Sequence, residues 1–294
     1  MRHFLNISDF SPQELIDLLN LADQLKAQSK AGQKTTLLDG KTLGMIFQKP
    51  SNRTRLSFEV GMTQLGGQAI YLRDEEVGMG TREPVWDVSR TLSRYLDAVM
   101  IRAKSHDDIE TFAQFSKVPV INGLSDMSHP CQALADMMTI REHKGVLDGV
   151  SLCYLGDVNN VCVSLMTAAT FLGVQMTVSC PKDYAPMTEA FPSIRFVEDP
   201  KVAIQGADVV YTDVWVSMGQ EAQAEERIDA FSEYAVTSEL MALAAPDAIF
   251  MHCLPARRDF EVTNDVMESA QSVVFDQAEN RLHAQKALLV TLLK

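Results

Sequence analysis

Apolar positions along the chain fall alternately into short runs and helical stripes. Leu15, Leu18, Leu19, Ala22 and Leu25 recur at helical spacing behind a dense start signal. There Ser11 is the N-cap, Pro12 takes the first helical position, Glu14 closes a capping box, and Phe10 with Leu15 forms a hydrophobic staple. The run Leu43-Gly44-Met45-Ile46-Phe47 has the length of a buried strand. Phe58, Met62 and Leu65 then restore a helical period, up to the stop at Gly66-Gly67. Further strands are expected at residues 69–72, 98–101 and 118–121, where Pro119 argues for an edge or strand-start position. Residues 74–81 are charged and glycine-containing and read as a loop, and residues 86–95 read as a helix.

His129-Pro130-Cys131-Gln132 opens a long helix with Leu134, Met137, Met138 and Ile140 on its apolar side. Its polar end, Arg141-Glu142-His143-Lys144-Gly145, reads as a connection between domains. A second series follows, with strands expected at 150–155, 176–178, 194–197, 207–212, 248–251 and 272–275 and a helix over 278–294. Alternating strands and helices favour parallel sheets. The expected fold is α/β: two doubly wound domains with parallel sheets, joined by interdomain helices. Residues 1–132 form the first domain, 133–146 the interdomain helix, 147–276 the second domain, and 277–294 a C-terminal helix returning to the first.

Composition narrows the classes. A chain of 294 residues can bury two cores. It has no tract of eighteen apolar residues and no signal-peptide core in Met1-Arg2-His3-Phe4-Leu5-Asn6, so a cytoplasmic address and no membrane partner are expected. The five cysteines lack C-x-x-C pairs and indicate neither a disulfide framework nor a zinc site. A net charge of −13 argues against nucleic-acid binding and anionic membranes. An anionic small ligand is still allowed, because local arginines set the potential of a cleft.

Ligands of parallel α/β sheets bind beyond the carboxyl ends of strands. Ser51-Asn52-Arg53-Thr54-Arg55 follows the first strand and opens a helix. Unpartnered N–H groups, two hydroxyls and two guanidiniums there describe an oxyanion site, most naturally for phosphate. A capped helix with solvated arginines fits the same spacing. Arg102, Asn159-Asn160, Asp213 with Ser217-Met218-Gly219, and His252-Cys253-Leu254-Pro255 also follow expected strands, while His129 and Gln132 lie at a helix start. The first half contributes cations and neutral donors; the second contributes an amide, a carboxylate and a thiol. That division fits an anionic ligand on one side and an amine-bearing ligand on the other.

At these residues the chain resembles the aspartate/ornithine carbamoyltransferase family. Ser51-Asn52-Arg53-Thr54-Arg55 is similar to the family's Ser-x-Arg-Thr-Arg, and His129-Pro130-Cys131-Gln132 to its His-Pro-x-Gln. Asp213-Val214-Trp215-Val216-Ser217-Met218-Gly219 and His252-Cys253-Leu254-Pro255 resemble motifs of its ornithine branch. The resemblance implies carbamoyl transfer from carbamoyl phosphate to the δ-amine of L-ornithine. It implies no cofactor and no metal, and a homotrimer or a multiple of trimers. Carbamoyl phosphate would meet Ser51, Asn52, Arg53, Thr54, Arg102, His129, Gln132, Cys253, Leu254 and Arg281. Ornithine would meet Asn160, Asp213, Ser217 and Met218. Arg102, His129, Cys253 and Asp213 would be catalytic, the first two with Thr54 as an oxyanion hole and Cys253 with Asp213 at the attacking nitrogen. The remaining cysteines read as buried small hydrophobes.

One stretch departs from the family pattern. A Gln-x-Gly that reaches the ligand across a subunit boundary is replaced by Glu76-Val77-Gly78, whose carboxylate would repel phosphate unless Arg73 or Arg82 compensates. Among rival acceptors, aspartate calls for a cationic pocket that the Asp213 motif does not supply, and putrescine lacks the α-amino acid head. A nucleotide-binding oxidoreductase is disfavoured because Leu155-Gly156-Asp157-Val158-Asn159-Asn160 lacks G-x-G-x-x-G. Within the opening turn, Arg53 is assigned to the ligand and Arg55 to bracing. Arg53→Ala should therefore chiefly raise the KM for carbamoyl phosphate and Arg55→Ala should not; steady-state kinetics on the two variants tests the distinction.

Overall fold

The computed structural model describes residues 1–185, 188–216 and 221–294. The chain forms two compact units, one of Met1–Met138 with Glu279–Lys294 and the other of Thr139–Ala278. Each is a parallel α/β layer structure.

In the first unit β1 (Thr42–Phe47), β2 (Gln68–Arg73), β3 (Ala98–Arg102) and β4 (Val120–Leu124) pair in the order β2-β1-β3-β4, all parallel. The two central strands are apolar and almost entirely buried, as parallel strands covered by helices on both faces must be. Ile46, Val99, Ile101, Phe112 and Val120 share one core cluster. Pro119 stands just before the edge strand β4, where its missing N–H costs no ladder bond. The helix Pro12–Lys30 starts as its sequence dictates, with Ser11 accepting from the Glu14 N–H and Glu14 returning to the Ser11 N–H.

The second unit contains β5 (Ser151–Leu155), β6 (Gln175–Ser179), β7 (Arg195–Phe196), β8 (Val209–Thr212) and β9 (Ile249–His252), in the order β7-β6-β5-β8-β9. All are parallel. Leu155, Val210 and Phe250 bring three adjacent strands into one core cluster. Gly156 leaves β5 at φ 128, a conformation closed to side chains, with the Trp215 indole where a Cβ would point.

Two local expectations differ from the structure. Residues 74–81 are not wholly loop: Asp74–Val77 makes one helical turn, with acids at its dipole-favoured N-terminus and Gly78 in the left-handed region after it. Residues 272–275 do not form a strand. Ser272 makes a single bridge to Phe250, and the chain enters the helix Val274–Leu293 at once. A short apolar run has no period that separates a strand from a buried helix start. Among the described residues no helix is long and apolar enough to cross a membrane. Because Phe250 is fully buried at the centre of β9, Phe250→Ala should cost about 3–5 kcal/mol, read as a lower urea midpoint in equilibrium unfolding.

Candidate active site

In each sheet the strand order reverses direction next to the first strand of the unit. The reversals lie between β1 and β3 and between β5 and β8, where crossover helices diverge and leave a crevice at the carboxyl ends. The candidate residues gather at these two places.

In the first unit Phe47 and Arg102 end β1 and β3 in register, and the Gln48 N–H donates to the Arg102 carbonyl at 2.9 Å. Ser51 caps the helix Asn52–Gln64, its hydroxyl accepting from the Thr54 N–H at 3.3 Å. The N–H groups of Asn52 and Arg53 stand outside the intrahelical ladder. Arg281, brought in on the C-terminal helix, donates to Gln132 Oε1 at 2.7 Å and to Thr54 Oγ1 at 3.3 Å. Gln132 in turn donates to Asp136 at 2.8 Å. Thr54, Arg102, His129, Gln132 and Arg281 are all buried. Arg55 points to other work: its Nε donates to Glu59 at 3.0 Å and its guanidinium lies 4.4 Å from the Tyr71 ring centre.

Burial pushes the His129 imidazole well below the ordinary histidine pKa, and the neighbouring Arg281, Arg102 and Arg53 charges push it further the same way. It is a neutral donor or acceptor among cations, suited to polarising an oxygen and not to carrying a proton at neutral pH. Glu76 turns to its own short helix, accepting from the Arg73 N–H at 3.3 Å, while Arg82 reaches the Glu76 backbone carbonyl and not its carboxylate.

In the second unit Asp213 follows β8 and is buried. Its Oδ1 accepts from the Val214 N–H at 2.8 Å and from Cys253 Sγ at 3.0 Å. Its Oδ2 accepts from Asn159 Nδ2 at 2.7 Å. Asn160 is the first residue of the helix Asn160–Leu172. Leu254 adopts φ 58, unusual for a residue with a side chain, and its N–H donates to His252 Nδ1 at 2.8 Å. That bond leaves the His252 proton on Nε2, facing Glu261 Oε1 at 3.2 Å, so His252 holds the turn that carries Cys253 and Leu254. Asp213, His252 and Cys253 bring possible ligand atoms within 4.8 Å of one another, yet both imidazole nitrogens and the thiol are already engaged. Ser217 and Met218 lie outside the described residues.

The other four cysteines are buried, and burial pushes Cys131, Cys153 and Cys180 up to about 12 and Cys162 well above its ordinary value. From the sequence, Asp136 is not singled out and Asn159 has no assigned partner. Asp136 fixes the Gln132 amide from one helical turn further on, a spacing visible in the sequence once Gln132 is singled out. Asn159 was noted as polar after β5, but its link to Asp213 spans 54 residues and has no local signal.

Residues 2–142 match the model of the aspartate/ornithine carbamoyltransferase carbamoyl-P binding domain, and residues 148–292 that of the Asp/Orn binding domain. An ornithine carbamoyltransferase of Archaeoglobus fulgidus is 51% identical over 300 residues, covering 100% of this chain and 98% of that protein. The solved structure of ornithine carbamoyltransferase from Pyrococcus furiosus superposes with a TM-score of 0.96 at 50% identity, over 99% of this chain and 97% of that one. Acetylornithine transcarbamylase complexed with acetylcitrulline is also similar, with a TM-score of 0.87 at 34% identity and complete coverage of both chains.

The state of His129 has a measurable consequence. Its ring resonances should not titrate between about pH 6 and 8, whereas an exposed histidine near 6.5 would. Below that value the unfolded chain binds a proton that the buried ring refuses, so this group lowers stability as pH falls and adds no penalty above it. NMR of labelled histidine against pH, together with denaturation midpoints at the same pH values, checks both signs.

Proposed function

Because the chain belongs to the aspartate/ornithine carbamoyltransferase family, we propose that it transfers the carbamoyl group of carbamoyl phosphate to the δ-amine of L-ornithine, giving L-citrulline and phosphate. One observation carries the reading on the donor side: Arg281 is joined to Thr54 and Gln132 around a helix N-terminus that also presents Arg53. Four groups that bind oxyanions or amides thus converge, and the Asp136 carboxylate behind them is engaged by Gln132. The acceptor side rests on Asp213 with Cys253 and on full-length relatives at about half identity that bear the name ornithine carbamoyltransferase.

The chemistry follows from the residue types. Ser51, Asn52, Arg53 and Thr54 hold the phosphate through the helix N-terminus and its side chains. Arg102 and neutral His129, with the Thr54 hydroxyl, face the carbonyl oxygen. As the uncharged δ-amine attacks, the new C–N bond forms and charge builds on that oxygen, where these donors stabilise it without reorganising. The carbon–oxygen bond to phosphate then breaks, and the amine proton leaves with the basic phosphate. Arginines neutralise the departing anion, which is the task a metal performs in other phosphate chemistry. Asn160 and Asp213 orient ornithine through its charged groups, with Ser217 and Met218 as further contacts by family resemblance. The family likewise implies a homotrimer or a multiple of trimers acting in the cytoplasm.

Purified protein should form citrulline from carbamoyl phosphate and L-ornithine, and not carbamoyl-putrescine from putrescine. Arg102→Ala and His129→Ala should each lower turnover by about 10²–10³, with little change in melting temperature. Unchanged turnover in either variant would remove that residue from the mechanism, and no citrulline from the parent protein would sink the whole reading.

A further inference from the structure

Asn159 joins two elements of the second unit that the sequence keeps apart. As N-cap of the helix Asn160–Leu172, its Oδ1 accepts from the N–H groups of Val161 at 3.0 Å and Cys162 at 3.1 Å. Its Nδ2 donates to Asp213 Oδ2 at 2.7 Å. The amide has one satisfactory orientation. Turned over, it would set an NH2 group against two N–H groups and an oxygen against a carboxylate.

The other oxygen of Asp213 accepts from the Val214 N–H and from Cys253 Sγ. One carboxylate thereby fixes the turns after β5, β8 and β9 to one another. Its terminal torsion is intrinsically broad. The Val214 and Cys253 bonds both fall on Oδ1, so the bond from Asn159 holds the second oxygen and sets the carboxylate plane.

We propose that Asn159 is a positioning residue for the amine-bearing substrate: by holding Oδ2 it fixes the plane in which Asp213 meets an ammonium group of ornithine. This rests on the assignment of ornithine above. The capping and positioning tasks belong to different atoms of one amide, so they can be separated by substitution.

Serine is as good an N-cap as asparagine, but its side chain carries no second group to reach Asp213. Aspartate also caps, but would set a second carboxylate against the first. In Asn159→Ser the ornithine KM should rise about tenfold, the loss of a hydrogen bond to a charged group, while the carbamoyl phosphate KM stays within about twofold and the melting temperature holds. Asn159→Asp should lose more than Asn159→Ser on ornithine, at some cost in stability, and Asn159→Thr, which also caps, serves for the comparison if the serine variant melts early. An unchanged ornithine KM in these variants, or both KM values rising together with a fall in melting temperature, would overturn the proposal while leaving the enzyme assignment intact. A parent protein that makes no citrulline would overturn the assignment and this inference with it.

Discussion

Parallel pairing on both sides of β1 and of β5 is the constraint from which the remainder follows. Antiparallel strands could return through tight turns, but parallel ones need crossover connections, and here those carry helices over both faces. The central strands must then be apolar throughout, and polar groups can appear only where strands end. Arg102 and the Ser51 turn in one unit, and Asn159 and Asp213 in the other, occupy those ends beside the reversal of strand order. Backbone N–H groups freed at helix starts are available at the same places. The fold thus concentrates polar chemistry where two crossover helices part.

Electrostatics then divides the labour. The first unit buries Arg102, Arg281 and His129 together, and the histidine answers the crowding by staying neutral. Buried guanidiniums of one sign, held by neutral partners such as Gln132 and Thr54, suit an anion between them. The second unit does the reverse, burying a carboxylate that collects neutral donors from Asn159, Val214 and Cys253 and suits a cation. That charge sorting agrees with the family domains matched by each half, carbamoyl-P binding for the first and Asp/Orn binding for the second.

Supporting residues explain why the contacting ones are where they are. His252 spends both ring nitrogens on Leu254 and Glu261, and so shapes the turn that displays Cys253. Asp136 holds Gln132, which holds Arg281. Glu76, which stands where the family pattern carries a glutamine, is drawn into the start of its own helical turn. His252 and Asp136 thus limit the conformations of Leu254 and Gln132, whereas Glu76 is tied to Arg73 within its own turn.

Much of this was legible in the chain itself because local physics is periodic. Ser11, Pro12 and Glu14 specify a helix start within four residues, and Ser51 caps its helix through a bond to Thr54 three residues on. Apolar runs mark β1, β3, β5 and β8, and the alternation with helices marks parallel sheets. Position after expected strands singled out Arg102, Asn159, Asp213 and Cys253, which the structure places at or after the ends of β3, β5, β8 and β9. Residues 272–275 form no strand: three apolar residues after Ser272 carry no period, and Val274 packs in the Phe250 core cluster as the start of a helix. Tertiary structure alone decided which residues act together. Arg281 meets Thr54 across 227 positions and Gln132 across 149, and Asn159 meets Asp213 across 54. Such pairings depend on how strands order themselves in a sheet, a property of long-range packing that no window of sequence contains.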